Sequence, residues 1–516
     1  MLGHLLAALA AMVVFISVAE AAEDIKDATR IGRSAATARA PEYQELRGYD
    51  AQALSLGDAA FPYETQIHRA HIVMLREQGI ITPAEAKAIL NGLIVVDAQA
   101  SRDAKLRVYL EYEAALIKAV GHVAGKMHTG RSRNDLVNTE NRMFYREQIN
   151  RVIESLIDLR FTLQAKARTN LDTIMVVYTH RKQAQPITLA HYLMAIDESI
   201  GKSIQRYEEL YARMNLNPLG SAASAGTGFP LKRERTTELL GFEGLVVNTI
   251  EGTAAWDHIA EFATDNVLYM TTLSRLASEI QLWSSDEYGL VELDPAFAGT
   301  SSIMPQKQNP ESLEIARRTI AGGFGAMVSI LTSMHAIEYQ HSAARVALEP
   351  RAIDAVVAVT HSMSGVVRTL RVNKERMAKG AREGFAVMTE LTDTLVRESG
   401  ISFRDAHEII AHVVDQTIAQ GKTAQGITVP MIEAAAQAHM GARLGISEAA
   451  VKAALDPEEN VSRRNGLGGP APRAVQAMIE GSAAISQEQR ARLDIRRAHL
   501  RDAADTLDRA VAEIVP

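Results

Sequence analysis

The chain has 516 residues, of which 47% are hydrophobic and 23% charged, the balance of a globular protein long enough for about three domains. A net charge of -7 without any long Lys/Arg run excludes general nucleic-acid binding, so an anionic ligand needs a local basic pocket. There is no cysteine, which excludes disulfides, thiolate nucleophiles and cysteine-held zinc or iron–sulfur centres.

The chain opens on an uncharged apolar run, Leu5 to Val18, too short to span a bilayer comfortably. Ala19-Glu20-Ala21 follows as a small-x-small cleavage pattern. Residues 1–21 therefore read as a secretory signal peptide, giving a periplasmic or secreted protein with no membrane segment once mature. The preceding MLGH carries no Lys or Arg, and the alternative is an early start codon on a cytoplasmic protein.

Beyond residue 60 the apolar residues recur at helical spacing. Thr82-Pro83-Ala84-Glu85 is a helix start, with a capping hydroxyl, proline in the first turn and glutamate three residues after the cap. Leu136 to Thr169 and Trp256 to Ser284 are predicted as long helices. Their stripes are Val152, Leu156, Leu159 and Leu163 in one, and Leu273, Leu276, Ile280 and Trp283 in the other. Helices of that length need apolar partners throughout, so a bundle, within one chain or shared between subunits, is the natural solution. The expected class is mainly α, with helical domains at 22–130, 131–380 and 381–516; the last shows shorter helices and the turn Gly466 to Pro472.

Three breaks interrupt the bundle: Gly125 to Asn134, Asn217 to Pro230, and Asp294 to Pro310. In the first, KMHTGRSRND (Lys126 to Asp135) puts two arginines at a helix start, against the helix dipole. That costs stability but suits a carboxylate bound between guanidinium and helix N-terminus; an inter-helix salt-bridge cluster is the bland alternative. Thr179 and His180 stand together ahead of another predicted helix, a weak signal alone. The stretch GTSSIMPQKQNPESLE (Gly299 to Glu314) carries adjacent serines and a lysine, which a plain surface loop does not require.

HTGRSRND (128–135), THRKQAQP (179–186), NPLGSAASAGT (217–227) and SSIMPQKQNP (301–310) occur in one order that resembles the argininosuccinate lyase branch of the aspartase/fumarase superfamily. FRDAHEII (403–410) and LGGPAP (467–472) extend the likeness, which covers roughly residues 60 to 480. The resemblance implies a three-domain fumarase/aspartase-type fold whose long helices form a tetrameric core, each active site drawing its segments from three subunits. It implies cleavage of a C–N bond beta to a carboxylate, releasing fumarate, with neither metal nor organic cofactor. By resemblance Ser302 is the base, an alkoxide favoured by Lys307 and loop N–H groups on a closing lid. Ser301, Lys307 and Asn309, with Arg133, Asn134 and Thr179, would bind the succinyl carboxylates. Glu314 would hold and orient His180, whose part as proton donor stays open.

The chain departs from that branch in places. Ile67 and His68 replace the usual Gly-Ser of the first helix, and Ala255-Trp256-Asp257 replaces Asp-Arg-Asp. Gly299-Thr300 opens the lid where Thr-Gly is usual, and Gln308 replaces a lysine. After Tyr339, which the branch uses to grip substrate, Ala344 and Ala347 stand where Gln and Lys are expected, and Arg345 is new. The succinyl-handling set is kept while recognition of the remainder changes. The reading is a C–N lyase for an N-substituted aspartate, with Arg345 as a fork for a carboxylate on the amine portion. Argininosuccinate itself, and a non-catalytic helical tetramer, remain alternatives.

Overall fold

The computed structural model describes residues 40–46 and 56–516; the expected signal segment, 1–21, lies outside them. Three helices, α1 (Gly57–Glu77), α2 (Pro83–Ala100) and α3 (Tyr109–Val120), build an N-terminal core around Ile72, Leu75, Ile89, Leu93 and Leu116. The α2 start is the expected capping box: Glu85 N donates to Thr82 Oγ1 at 3.3 Å and Thr82 N to the Glu85 carboxylate at 2.9 Å.

The bundle comprises α4 (Arg133–Arg168), α5 (Leu189–Met214), α6 (Asp257–Trp283), α7 (Glu311–His335) and α8 (Pro350–Thr369). At 36 residues, α4 is about 54 Å long. Both predicted stripes face its interior: Val152, Leu156, Leu159 and Leu163 are wholly buried, as are Leu273 and Leu276. Burying each such leucine stabilises the fold by about 2 kcal/mol before entropy is counted.

Chain 381–516, expected as one domain, divides between cores. The short helices α10 (Met388–Ser399), α11 (Phe403–Ala419), α12 (Val429–Met440) and α13 (Glu448–Leu455), which follow α9 (Lys374–Glu383), share one cluster around Leu391, Leu395, Ile409 and Ile432. After α14 (Pro457–Arg463), the 41-residue α15 (Pro472–Ala512) returns to the bundle, burying Val475, Ile479 and Leu493 there and Leu507 in the N-terminal core. A buried Arg160–Asp197 pair at 3.0 Å, completed by Ser482 and Gln489 of α15, fixes its register. Its apolar spacing is helical, but nothing in the spacing says which core it joins.

Thr179 and His180 do not precede a helix directly. Thr179 ends β1 (Ile174–Thr179), which pairs antiparallel with β2 (Lys182–Thr188), Thr179 opposite Lys182, and His180 follows in the turn. The two-residue turn is His180-Arg181, with φ of 52° and 60°, the left-handed pair a tight hairpin demands. Neither is glycine, so the tip is strained. The hairpin is anchored below, where Ile174 and Val176 pack on Ala381, Ala386 and Val461.

Candidate active site

Asp135 organises the first segment. Wholly buried, it accepts from Ser132 N at 2.9 Å, closing the capping box of α4, and from Gly220 N and Ala222 N, both at 2.9 Å. The turn bearing Arg133 and Asn134 is thereby stapled to the 217–227 loop. Beneath it, His71 Nε2 meets Thr129 O at 2.9 Å, His128 Nδ1 meets Tyr109 OH at 2.6 Å, and Arg131 donates to His68 Nδ1 at 3.1 Å. His68, a departure from the family pattern, thus has a partner, and burial followed by Arg131 holds its imidazole below the usual range. Burial, Arg131 and Arg133 push His128 down to about 4. The Arg133 and Asn134 side chains make no hydrogen bond or ion pair among the described residues.

Arg345 is not an open fork. Its Nε donates to Ser342 O at 3.2 Å, Nη1 to Thr253 O at 3.0 Å and Ala254 O at 3.4 Å, and Nη2 to His341 Nδ1 at 2.6 Å. The guanidinium lies 4.3 Å over the Trp256 ring, and Trp256 Nε1 donates to Val346 O at 2.8 Å. The departures at 256 and 345 are therefore one unit, a cation–π pin clamping the 339–346 segment onto 253–256. Burial pushes the Arg345 guanidinium down to about 10. Tyr339 donates its hydroxyl to Glu251, and Ala347 packs against the bundle.

The third segment is held only at its neck, where β3 (Gly299–Thr300) pairs with β4 (Gln308–Asn309). Gly299 sits close against Glu311, whose carboxylate a Cβ would meet at 2.5 Å. Ser301 Oγ accepts from Ile303 N and Met304 N at 3.4 and 3.1 Å, turning the loop on itself. Ser302 and Lys307 are exposed, and neither side chain has a partner among the described residues. Under the loop lies a cleft of about 720 Å³ lined by Gln281, Met304, Lys307 and Asn309 among others.

The expected His180–Glu314 pairing does not form within the chain. His180 stands exposed at the hairpin tip without a partner among the described residues, while Glu314 accepts from Gln281 Nε2 at 3.3 Å. No hydrogen bond or ion pair among the described residues joins Arg133 and Asn134, Thr179 and His180, or Ser301, Ser302, Lys307 and Asn309 across these three groups. Missed from sequence were Asp135, although Ser132-x-x-Asp135 is a capping signal, and Ser224, Thr253, Trp256 and His341 as the adjoining wall.

A family model described as lyase matches residues 36–323, and one described as argininosuccinate lyase C-terminal matches 385–462. The chain is 38% identical over 436 residues to the argininosuccinate lyase of Methanocaldococcus jannaschii, covering 83% of this chain and 89% of that one. It is 39% identical over 426 residues to that of Methanosarcina mazei, covering 81% and 85%. Among solved structures, EDDS lyase in complex with formate is 57% identical, with a TM-score of 0.87 over 95% of this chain and 99% of that one. A fumarate lyase from Mesorhizobium sp. BNC1, 17% identical with a TM-score of 0.66 over 82% and 95%, shares the fold.

Proposed function

The chain belongs to the argininosuccinate lyase family of the aspartase/fumarase superfamily and is a carbon–nitrogen lyase that releases fumarate from an N-substituted aspartate, and we propose that its substrate is an EDDS-like compound, whose amine portion is a second N-substituted aspartate, rather than argininosuccinate, whose amine portion joins its carboxylate to a guanidinium. The single observation carrying the catalytic assignment is that Arg133, Asn134, His180, Ser302 and Lys307, which stand in the motifs shared with the family, all keep side chains without a partner among the described residues.

The proton to be removed lies on the carbon next to a carboxylate and is very weakly acidic, so the base must work together with cations that hold the doubly charged carboxylate formed. Ser302 takes that proton. The electron pair forms the double bond of fumarate as the C–N bond breaks, and the departing nitrogen acquires a proton. Lys307 favours the Ser302 alkoxide, and Arg133, Asn134, Thr179, Ser301 and Asn309 hold the succinyl carboxylates. Tyr339 lines the amine side.

The three groups come together between subunits of a homotetramer. Support comes from α7, where Phe324, Val328 and Leu331 are 44%, 55% and 44% exposed along one face, beside Gly322, Gly323 and Gly325. Export through residues 1–21 belongs to the same proposal; N-terminal sequencing of secreted protein should begin at Ala22.

The deciding experiment follows fumarate release from a panel of N-substituted aspartates. EDDS-type substrates should exceed argininosuccinate in kcat/KM by a factor on the order of 100. Ordinary efficiency with argininosuccinate would make the chain an argininosuccinate lyase in the narrow sense.

A further inference from the structure

The 217–227 loop alternates backbone hand. Gly220, Ala222, Ser224 and Gly226 have φ of 92°, 50°, 76° and 68°, while the residues between them stay outside the positive range. Such alternation turns successive N–H groups toward one concave side, a nest for anions. Two of the four are not glycine, at a cost on the order of 1 kcal/mol each.

Half of this nest is filled. The amides of Gly220 and Ala222 both donate to Asp135 Oδ2. The amides of Ala223, Ser224 and Ala225 have no partner among the described residues, and Ala223 and Ala225 are exposed. The loop is nevertheless fixed: Gly226 N donates to Ser221 O at 3.0 Å, Thr249 Oγ1 to Ser224 O at 2.8 Å, and the Ser224 and Thr253 hydroxyls meet at 2.7 Å. Tertiary contacts thus hold a strained segment whose outward amides meet no acceptor among the described residues.

We propose that the amides of Ala223, Ser224 and Ala225 bind the carboxylate on the amine portion of the substrate, an assignment that rests on the lyase reading above. Placement favours the amine side. Ser224 is bonded to Thr253, whose carbonyl takes Arg345 Nη1, so the nest continues the wall formed by Arg345, His341 and Trp256. Arg345 itself is spent on Ser342, Thr253, Ala254 and His341, which leaves the free amides to supply the counter-group on that wall. Asp135 does not leave its charge unmet beside this carboxylate, because three amides already hold it.

Ser224→Val, a β-branched residue disfavoured at positive φ, should raise KM for EDDS by about tenfold or more, in KM rather than kcat. Ser224→Gly, which adopts positive φ freely, should lose several-fold less. The inhibition constant of fumarate should stay within about twofold in Ser224→Val, since fumarate lacks the amine-side carboxylate. An unchanged KM for EDDS overturns the assignment, and so does a fumarate constant that rises in parallel. Should the valine variant fail to fold, hydrogen exchange in the Ser302→Ala protein decides. EDDS should slow exchange in a peptide covering 219–228 and fumarate alone should not; no slowing by EDDS overturns the proposal. If the parent protein releases fumarate from no N-substituted aspartate, the lyase reading fails and takes the nest with it. Fumarate release with a parental KM in Ser224→Val sinks the nest alone.

Discussion

The turn that presents Arg133 and the loop that presents Ser302 both leave their chemical groups unpaired, yet they are held in opposite ways. The turn stands on Asp135 with three amide donors, on the buried Arg131–His68 contact and on His71 bonded to Thr129 O. The loop has a two-pair ladder at its neck and a self-turn at Ser301, and Ile303 at its tip is 83% exposed. Carboxylate-binding groups work best when fixed in advance, because their orientation then costs nothing at the transition state. With Ser302 as the proposed base, its place on an exposed loop fits an order in which substrate binds first and closure brings Ser302 last. On the proposed reading, the contrast separates a firmly supported segment that binds through Arg133 and Asn134 from a lightly supported one that carries the base.

The sharpest way to break the contrast is at the loop. Ser302→Ala should lower fumarate release by a factor on the order of 10³ or more while the melting temperature moves by no more than about 2 °C, because an exposed hydroxyl contributes little to packing. Steady-state rates and calorimetry check both halves. At the turn the expectation reverses: Asp135→Asn should cost about 1–3 kcal/mol in denaturant unfolding, since the amide nitrogen that replaces one carboxylate oxygen would face at least the Ser132 N–H in a buried setting. KM should rise with it as Arg133 loses its support.

Acid should loosen the turn before the loop. His128, His68 and His71 all have imidazoles held below the ordinary value, first by burial and then by Arg131, His128 at about 4. As pH falls below about 6.5 the unfolded chain takes up these protons and the folded chain does not, so stability is present above that value and is lost down toward about 4. His128→Asn should make a plot of stability against pH shallower in that window. The smallest effect is expected at the neck, where Gly299→Ala must push the flexible Glu311 carboxylate aside. About 1 kcal/mol or less of stability and a few-fold loss of rate are expected, read from the same two assays.

The bundle was legible because a 3.6-residue period survives any detail of packing, and Val152 to Leu163 are buried as the spacing required. The family was legible through motif order, not through spacing alone. The hairpin was not, because IMVVYT and KQAQPIT lack clean alternation and His180-Arg181 is no usual left-handed pair. Ala222 and Ser224 carry no sign of positive φ in their identity; the surroundings impose it. Arg345 looked like a free fork because a sequence cannot show that Thr253, Ala254, Ser342 and His341 already surround it. The expected His180–Glu314 pairing does not form among the described residues, where Glu314 accepts from Gln281 instead.

The account's central claim is that one active site needs segments from different copies of this chain. Mixing inactive Ser302→Ala protein with inactive Arg133→Ala protein, after dissociation and reassembly, tests it directly. The account predicts that fumarate release reappears in the mixture, in a species that light scattering weighs as a tetramer, because some hybrid sites pair an intact Ser302 with an intact Arg133. A mixture as inactive as its components, or full activity in a parent protein that weighs as a monomer, would contradict it.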